Sequence, residues 1–361
     1  MSKKNIAILF GGMSSEHEVS LRSAVFFLRN IPKDKYKPIP IGITKKGEWF
    51  LYTGPIENIE DRSWENDPNN RPIWLNPAPC FHGFFFAEKG EFVLTKVDAV
   101  IPVLHGKNGE DGTIQGLLTL SGIPYVGCNI LTSAICMDKV MTNILLSYAS
   151  IDQAKFSWVL AKDFIKSPEE CIEKIEREVG SYPVFVKPAN AGSSVGISKV
   201  RKREELSKAI AVASKEDYKI LIEESITGQE VECAVLGNDE PITSIVGEIA
   251  PPDGFYDYEA KYINNTTKLY IPAHISTETS EKIRELSAKA YRLMGCSGLC
   301  RIDFFVEKNT GRILLNELNT FPGFASISMY PMLMDRVGIP PAQLIDTLIT
   351  LALNKDGNTD E

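Results

Sequence analysis

The residues of this chain that are best suited to carry out chemistry lie in one predicted β-hairpin, at residues 301–320. Two apolar, strand-like runs flank a short polar turn, and Gly311 suits the left-handed position that ends a three-residue hairpin loop. If Lys308 faces Arg312, the antiparallel register fixes every facing pair along the two strands. Because side chains alternate between the faces of a strand, each face of the hairpin carries its own set of pairs.

One of these sets combines two carboxylates, an amide and a guanidinium. In the predicted register Asp303 lies opposite Glu317, and Arg301 lies opposite Asn319. Clustered carboxylates repel one another unless a cation joins them. Oxygen ligands with an excess of carboxylates suit Mg²⁺ that is carried in with substrate phosphates. From this segment alone, a magnesium site and a solvated hairpin with incidental charges are about equally compatible with the pattern.

Composition bounds the class of protein. The chain has 361 residues, of which 43% are hydrophobic and 24% charged, as is ordinary for a globular protein of two or three domains. The net charge of -8 argues against a general nucleic-acid binder, although a local basic cleft for phosphates remains compatible with it. No apolar run approaches the roughly 20 residues that span a bilayer. The apolar run at residues 6–10 is too short for a signal peptide. We therefore expect neither a nucleic-acid nor a membrane partner.

The cysteines point to the cellular compartment. There are seven, an odd number, with no Cys-x-x-Cys pair and no accompanying histidine cluster. This pattern argues against a zinc site. It favours buried thiols in a reducing, cytoplasmic setting.

Strands and helices alternate in the first third of the chain. The sequence predicts strand, helix, strand, strand and helix in turn, at residues 5–10, 19–30, 37–43, 97–104 and 113–121. Between them, a Pro- and Asn-rich stretch at residues 53–79 is predicted to be a long surface loop or insertion. The βαβ alternation indicates a parallel sheet, with ligands at the carboxyl ends of its strands.

The rest of the chain divides into two further units. One contains a predicted helix around residues 137–146, two strands and a glycine-rich turn, and the other contains a helix at 279–294 and the hairpin. The predicted fold class is therefore α/β followed by α+β, in three domains at residues 1–130, 131–224 and 225–361.

A phosphate-binding loop is predicted after the strand that ends in Lys187. Gly192 and Gly196 let backbone amides approach a phosphate closely, and Ser193 and Ser194 add hydroxyl donors. The segment matches neither the Gly-x-x-x-x-Gly-Lys-[Ser/Thr] loop nor the Gly-x-Gly-x-x-Gly dinucleotide turn. A merely flexible turn remains the alternative.

Several polar residues stand at predicted strand ends. Glu223 and Glu230 lie where one unit passes into the next, and acceptors there suit an adenine amino group and a ribose diol. Glu16 follows the first strand and could hold an ammonium group. It could equally be an exposed acid at a helix start, where the helix dipole favours a negative charge. His105 heads its own loop at a strand end, although a lone histidine is more often structural.

The segment at residues 251–262 mixes aromatic residues with Pro and Gly. It could fold over the site as a lid that excludes water and brings in Lys261 and Tyr262. A surface loop packed by its own aromatic side chains is the alternative.

Taken together, five stretches resemble the D-alanine–D-alanine ligases of the ATP-grasp superfamily. They lie at residues 10–20, 104–112, 187–196, 255–262 and 301–323. They follow the family's order and cover nearly the whole chain. The resemblance implies a three-domain ATP-grasp architecture, in which a Rossmann-like N-terminal domain binds substrate. ATP is then held between the central and C-terminal domains, beneath the lid.

By that likeness, nucleotide and metal are held by residues from the last two domains. Lys139 and Lys187 contact the ATP phosphates, and Ser194 belongs to the same ATP-binding set. Glu223 and Glu230 bind adenine and ribose. The magnesium ligands, for two Mg²⁺ or Mn²⁺ ions, are Asp303, Glu317 and Asn319.

The same likeness assigns roles around the two amino acids. Glu16 holds the ammonium of the first D-alanine, and His105 sits beside that substrate. Ser193 and Tyr262 hydrogen-bond with Glu16 and pin the lid. The remaining matches are Lys261 for the γ-phosphate, Ser328 with its neighbour Met329 for the second amino acid, and Arg301 with the Gly323 amide for the tetrahedral oxyanion.

The implied reaction joins two D-alanines at the expense of ATP, for peptidoglycan synthesis. The first carboxylate attacks the γ-phosphorus, and the second amine then attacks the acyl phosphate. Tyr262 favours an amine nucleophile, and Met329 fits a small methyl group. Phe321 and Ala325 depart from relatives near the second-substrate site, so D-serine or D-lactate as acceptor remains the alternative. The likeness also implies a homodimer.

Two hypotheses from other classes remain. A dehydrogenase built on the N-terminal α/β unit lacks the glycine fingerprint for a dinucleotide. A non-catalytic nucleotide-binding protein would bind ATP without releasing phosphate in response to D-alanine.

Overall fold

The computed structural model describes residues 2–192, 195–250 and 267–354 of the chain. Within them the strands form three sheets, of seven, four and five strands. Most predicted elements begin and end within two residues of the observed ones. The predicted helix around residues 137–146 is in fact two helices, α4 (Ile130–Met137) and α5 (Lys139–Tyr148).

The first sheet is mixed. Its strands are β1 (Lys4–Gly11), β2 (Tyr36–Ile43), β3 (Trp49–Leu51), β4 (Arg71–Leu75), β5 (Gly83–Glu88), β6 (Glu91–Lys96) and β7 (Ala99–Val103). β1 runs parallel to both β2 and β7, as the βαβ alternation predicted, with α1 (His17–Asn30) packed against β1. The order β6-β5-β4-β3-β2-β1-β7 adds four antiparallel strands at one edge. The prediction of a parallel sheet therefore holds for three strands only.

The stretch at residues 53–79 is not the surface loop that its composition predicted. It contains α2 (Glu57–Glu60), a 3-10 turn (Ser63–Asn66) and strand β4. Trp64 is fully buried, and its ring lies 5.0 Å from that of Phe10. A Cβ atom built on Gly42 would come closer than 3.0 Å to the Trp64 ring, so the glycine leaves the space that the indole fills. One aromatic side chain thus anchors a polar segment to the sheet.

The second sheet is antiparallel, in the order β10-β9-β11-β8. Its strands are β8 (Phe156–Leu160), β9 (Val184–Pro188), β10 (Ser198–Val200) and β11 (Lys219–Glu224). Its helices are α6 (Ala161–Lys166), α7 (Pro168–Val179) and α8 (Leu206–Ala213), while α3 (Thr113–Leu120) belongs to the first unit. Proline at the first position of α7 and glycine just beyond its end fit the usual asymmetry of helix ends.

The third sheet is also antiparallel, in the order β14-β13-β12-β15-β16. Its strands are β12 (Gly228–Gly237), β13 (Ile242–Ala250), β14 (Lys268–Tyr270), β15 (Gly298–Glu307) and β16 (Ile313–Asn319). The helices of this part are α9 (Thr277–Leu293), α10 (Met329–Arg336) and α11 (Pro341–Leu353).

The largest core joins the two ends of the chain. Phe27 of α1 stacks on Phe324 at 4.6 Å, and Leu344 and Ile345 of α11 belong to the same buried cluster. The hydroxyl of Tyr36 donates a hydrogen bond of 2.8 Å to Asp346. The last helix, α11, therefore packs on the first domain, and the boundaries at residues 130 and 224 remain a prediction.

Two further sequence expectations can be compared with the described residues. Within these ranges no single helix is long and apolar enough to cross a membrane, although α4 and α5, bent by 99°, pass that test as a pair. Five of the seven cysteines are buried, but Cys80 is exposed and Cys171 is partly exposed.

Gly42→Ala should destabilise the fold. Its methyl group would overlap the buried Trp64 ring, and overpacking of this kind costs about 1–3 kcal/mol. Gly116→Ala, in α3 with open space around the position, is the control and should be neutral or stabilising. Urea unfolding measures both, and equal stability of the two variants would contradict the role given to Gly42.

Candidate active site

Two adjoining cavities lie where the three sheets meet. Their volumes are about 170 Å³ and about 150 Å³. Glu16, His105 and Ser328 line the first cavity, whereas Lys187 and Glu223 line the second. Six residues line both and form a shared wall, namely Lys139, Ala191, Gly192, Glu232, Arg301 and Glu317. A group bound in one cavity can therefore reach a group bound in the other.

The hairpin of β15 and β16 places the predicted oxygen ligands side by side. Asp303 faces Glu317 and Arg301 faces Asn319, as the sequence predicted. Each pair lies on one face of the sheet because directly opposed residues point the same way.

The turn of this hairpin differs from the prediction. Glu307, not Lys308, faces Arg312, and its amide donates to the Arg312 carbonyl at 2.9 Å. Gly311 has the expected left-handed backbone, with φ of 70°. The loop is thus one residue longer than predicted. A bulge at Asn316, between the Asp303 and Phe304 pairings, shifts the register back.

Arg301 bridges the carboxylates of Asp303 and Glu232. Its guanidinium binds Asp303 through two hydrogen bonds, of 2.8 and 2.7 Å, and lies 3.1 Å from Glu232. The Asn319 amide donates to Asp303 at 2.9 Å. Burial lowers the pKa of Arg301, but the two carboxylates more than offset this and hold the pKa well above its usual range. A buried, permanently charged guanidinium therefore faces both cavities.

The oxygen ligands on this face of the hairpin suit a hard divalent cation. Asp303 and Glu317 offer carboxylate oxygens and Asn319 offers an amide oxygen, which are the ligand types that Mg²⁺ prefers. In the ranges that the structure describes, no group of three or more His, Cys, Asp or Glu side chains is arranged to hold a metal ion. Because the set has only two carboxylates, such a cation needs oxygens from a bound phosphate or from water.

Lys139 reaches the shared wall from the start of α5. Asp138 caps this helix by accepting from the amides of Val140 and Met141, at 3.1 and 3.2 Å. The Lys139 ammonium donates to the Ala191 carbonyl at 3.0 Å and lies 3.5 Å from Glu317. The cap thereby fixes the direction from which the lysine enters the cavities.

Lys187 and Glu223 form an ion pair in the second cavity. The ammonium of Lys187, at the end of β9, lies 2.6 Å from Glu223, whose other oxygen accepts from Asn143 at 3.0 Å. Burial lowers the pKa of Lys187, but the attraction of Glu223 more than offsets this and raises it above its ordinary value. Glu230, on β12, lines the same cavity. The acids and the lysine predicted for ATP therefore share one cavity.

Glu16 occupies a narrow space in the first cavity. It lies just before α1 and is 8% exposed. Cβ atoms built on Gly106 or Gly192 would each come closer than 3.0 Å to its carboxylate. Because these glycines belong to different units of the chain, two loops close around one carboxyl group.

His105 is held by the protein on both sides of its ring. Its Nδ1 lies 3.0 Å from the Phe321 carbonyl, which requires the proton on that nitrogen, and its Nε2 lies 3.0 Å from the Ser23 hydroxyl. Ser23 also accepts from the Phe324 amide at 3.1 Å. Burial lowers the pKa of His105, which favours the neutral ring, although Glu16 opposes this. The ring thus ties the loop after β7 to α1 and to the segment after the hairpin.

Three further predicted residues line the first cavity, namely Gly323, Ser328 and Met329. The Ser328 hydroxyl accepts from the Ala325 amide at 3.0 Å and stands just before α10. Ser193, Ser194, Lys261 and Tyr262 lie outside the residues that the structure describes.

Sequence reasoning missed Glu110. Its carboxyl group accepts from the amides of Gly106 at 2.7 Å and Phe321 at 3.4 Å, and it lines the first cavity. Burial, helped by the nearby Glu16 charge, raises the pKa of Glu110 to about 8. The signal was present, since Glu110 lies in the loop that His105 opens. Asn143 and Glu232 were missed as well.

Comparison with known proteins agrees with this geometry. The family model described as D-ala D-ala ligase N-terminus matches residues 5–128, and D-ala D-ala ligase C-terminus matches residues 145–350. The D-alanine–D-alanine ligase of Caldicellulosiruptor bescii is 51% identical over 99% of this chain and 97% of its own. That of Acetivibrio thermocellus is 50% identical over 98% and 96%.

Solved structures give the same answer. The VanG D-Ala:D-Ser ligase from Enterococcus faecalis superposes with a TM-score of 0.89 at 44% identity, covering 97% of this chain and 100% of its own. The D-alanine–D-alanine ligase from Coxiella burnetii gives 0.84 at 33% identity, with 98% and 96% covered. The fold and these relatives therefore define an ATP-dependent ligase with the three-domain ATP-grasp architecture. Within that class, the chain belongs to the D-alanine–D-alanine ligase family.

Glu110→Gln should change how stability depends on pH. The raised pKa means that the folded protein keeps this proton up to about pH 8, whereas the unfolded chain releases it near 4.5. Wild-type stability therefore falls as pH rises through this window, and the glutamine variant lacks that loss. We expect the variant to gain roughly 1 kcal/mol or more on wild type between about pH 5 and pH 8.

Urea unfolding at both pH values measures this difference. Glu91→Gln, at an exposed position on β6, is the control and should follow wild type. A difference between Glu110→Gln and wild type that stays constant with pH would contradict the raised pKa.

Proposed function

We propose that this protein joins two D-alanine molecules into D-alanyl-D-alanine through an acyl phosphate formed with ATP. The observation that carries the proposal is the wall shared by the two cavities. Lys139, Arg301 and Glu317 border both, so a phosphoryl group held by the nucleotide cavity can be passed to a carboxylate in the other. Family membership supplies the substrates, and the geometry supplies the division of labour.

The second cavity receives ATP. Lys187 and Lys139 bind its phosphates, while Glu223 and Glu230 accept from adenine and ribose. For this to happen Lys187 must exchange its ion pair with Glu223 for the nucleotide. The displaced Glu223 oxygen then becomes an acceptor. Ser194, in the glycine-rich loop, adds a phosphate contact by resemblance.

Asp303, Glu317 and Asn319 hold Mg²⁺, or Mn²⁺, brought in with the nucleotide. The ions, two by the family likeness, neutralise charge on the transferring phosphoryl group when bound. Arg301 already satisfies part of the negative charge of Asp303. The residues of the wall thus keep opposite charges in balance before and after the nucleotide arrives.

The first cavity receives the amino acids. Glu16 binds the ammonium of the first D-alanine, whose carboxylate then points to the shared wall and attacks the γ-phosphorus. His105 positions the loop beside that substrate rather than contacting the reacting atoms. By resemblance, Lys261 reaches the γ-phosphate, and Ser193 and Tyr262 close the lid over Glu16.

The second D-alanine binds between Ser328 and Met329. Ser328 holds its carboxylate and Met329 packs against its methyl group. Its amine attacks the acyl carbon, and the tetrahedral oxyanion is stabilised by Arg301 and the Gly323 amide. Collapse expels phosphate and leaves the dipeptide. We further infer a cytoplasmic homodimer from the family likeness, which sedimentation of the purified protein can check.

The deciding experiment is a coupled ADP-release assay with and without D-alanine. We expect ADP release that depends on D-alanine, with D-alanyl-D-alanine and phosphate as the other products. ATP binding without this response would leave a non-catalytic nucleotide-binding protein. The similarity to a D-Ala:D-Ser ligase makes D-serine the second candidate acceptor. Mass spectrometry of products from equal D-alanine, D-serine and D-lactate identifies the acceptor.

Glu317→Gln should abolish most of the activity without unfolding the protein. Removing a charge from the transition-state environment costs roughly a hundredfold or more in kcat. Glu317 is partly exposed at the cavity wall, so its loss leaves no buried unpaired group. Glu307→Gln, in the same hairpin but outside both cavities, is the matched control. Thermal unfolding checks the fold, and a variant that unfolds would show Glu317 to be structural.

A further inference from the structure

We propose that residues 57–66 position Glu16 for the first substrate. This stretch, which comprises α2 and the 3-10 turn, is called the brace segment below. The inference rests on the proposed function, because it concerns the carboxylate assigned to the D-alanine ammonium. It gives a role in the reaction to a segment whose composition suggested only a surface loop.

The brace segment is itself firmly seated. Trp64 fills the space that Gly42 leaves free, and its carbonyl accepts from the Asn70 side chain at 2.7 Å. The indole packs edge-on against Phe10, the residue that precedes the Gly11-Gly12 turn, at 5.0 Å. The segment is thus fixed to the strand end from which the chain runs on to Glu16.

From this seat the brace segment also contacts His17. The His17 ring is fully buried, with Nδ1 2.6 Å from the Gly12 carbonyl and Nε2 3.6 Å from Glu65. A ring nitrogen that faces a carbonyl oxygen carries a proton. This hydrogen bond fixes the orientation of the ring and leaves Nε2 near the Glu65 carboxylate. The residue immediately after Glu16 is held between the strand end and the brace segment.

Glu18, two residues after Glu16, is held as well. Its carboxylate lies 2.6 Å from Lys45 and 3.6 Å from Arg62, and Arg62 also donates to Glu65 at 3.3 Å. Arg62 has a left-handed backbone, with φ of 69°. A non-glycine residue keeps that conformation at a cost, so the surroundings must determine it. Here the conformation lets one guanidinium reach both carboxylates.

These contacts replace a cap that α1 lacks. Glu16 occupies the N-cap position, but no side chain caps the helix there. Its carboxylate has little room, because Gly106 and Gly192 approach it closely from two sides. A small rotation of the first turn of α1 would therefore move the carboxylate against a loop or away from the substrate. The ion pairs to the brace segment oppose that rotation.

Exposed ion pairs often contribute little to stability. A purely structural ion pair and one that positions Glu16 predict different kinetics. A purely structural pair affects stability and all kinetic constants together. A positioning pair weakens D-alanine binding at unchanged stability, because Glu16 contacts only that substrate.

The test compares Glu65→Ala and Arg62→Gly with wild type. Arg62→Gly removes the guanidinium but relaxes the left-handed backbone, so the fold should be kept or stabilised. Glu57→Ala is the matched control. It breaks the ion pair between Glu57 and Arg29, whose charged atoms lie 3.7 Å apart. This pair also joins the brace segment to α1, but at the end of the helix away from Glu16. ADP release is measured against D-alanine at saturating ATP, and against ATP at saturating D-alanine.

We expect the half-saturating D-alanine concentration to rise roughly fivefold or more in both test variants. The half-saturating ATP concentration, kcat and the unfolding midpoint should stay near wild type, and the control should match wild type throughout. An unchanged D-alanine requirement would overturn the inference. So would a parallel loss of kcat and ATP affinity. Wild-type protein that makes no dipeptide would instead refute the proposed function.

Discussion

The register of the β15–β16 hairpin is the constraint on which the site depends. It puts Asp303, Glu317 and Asn319 on one face, beside a guanidinium that is buried among them. Charges in such a place must be paired, because burying an unpaired charge is costly. Arg301 pairs with two carboxylates, and Lys139 pairs with Glu317. Removing Arg301 would take the counter-charge from both Asp303 and Glu232, so these buried charges depend on one another.

This balance also explains why the wall suits a nucleotide. Before ATP binds, the two lysines of the site are neutralised by acids, since Lys187 pairs with Glu223 and Lys139 lies close to Glu317. A polyphosphate competes for both lysines, which frees carboxylate oxygens next to its own. Neighbouring oxygens of one sign need a cation between them. Under the proposed function, this exchange of partners would couple binding of the nucleotide to binding of the metal.

The sequence predicted the facing pairs of the hairpin correctly, but not the turn that joins its two strands. Asp303 and Glu317 were paired by assuming that Lys308 faces Arg312, and the period of two along a strand then assigned the side chains to faces. Yet the turn is a residue longer than assumed, and a bulge at Asn316 cancels the shift. A bulge of this kind leaves no signal in the amino-acid composition from which it could be predicted. Glu110 lies in the loop that His105 opens, but the burial and the nearby Glu16 charge that raise its pKa arise only on folding. Trp64 was missed because it is a single aromatic anchor within a polar stretch.

The sequence does not show how closely the loops around Glu16 approach one another. Gly106 and Gly192 belong to different units, yet a methyl group on either would collide with the same Glu16 carboxylate. The two loops are therefore separated by little more than the width of one carboxyl group. An acyl phosphate formed beside them is open to hydrolysis wherever water can enter. In the proposed reaction, loops this close would leave little room for water between them, so the geometry that confines the Glu16 carboxylate would also shield the intermediate.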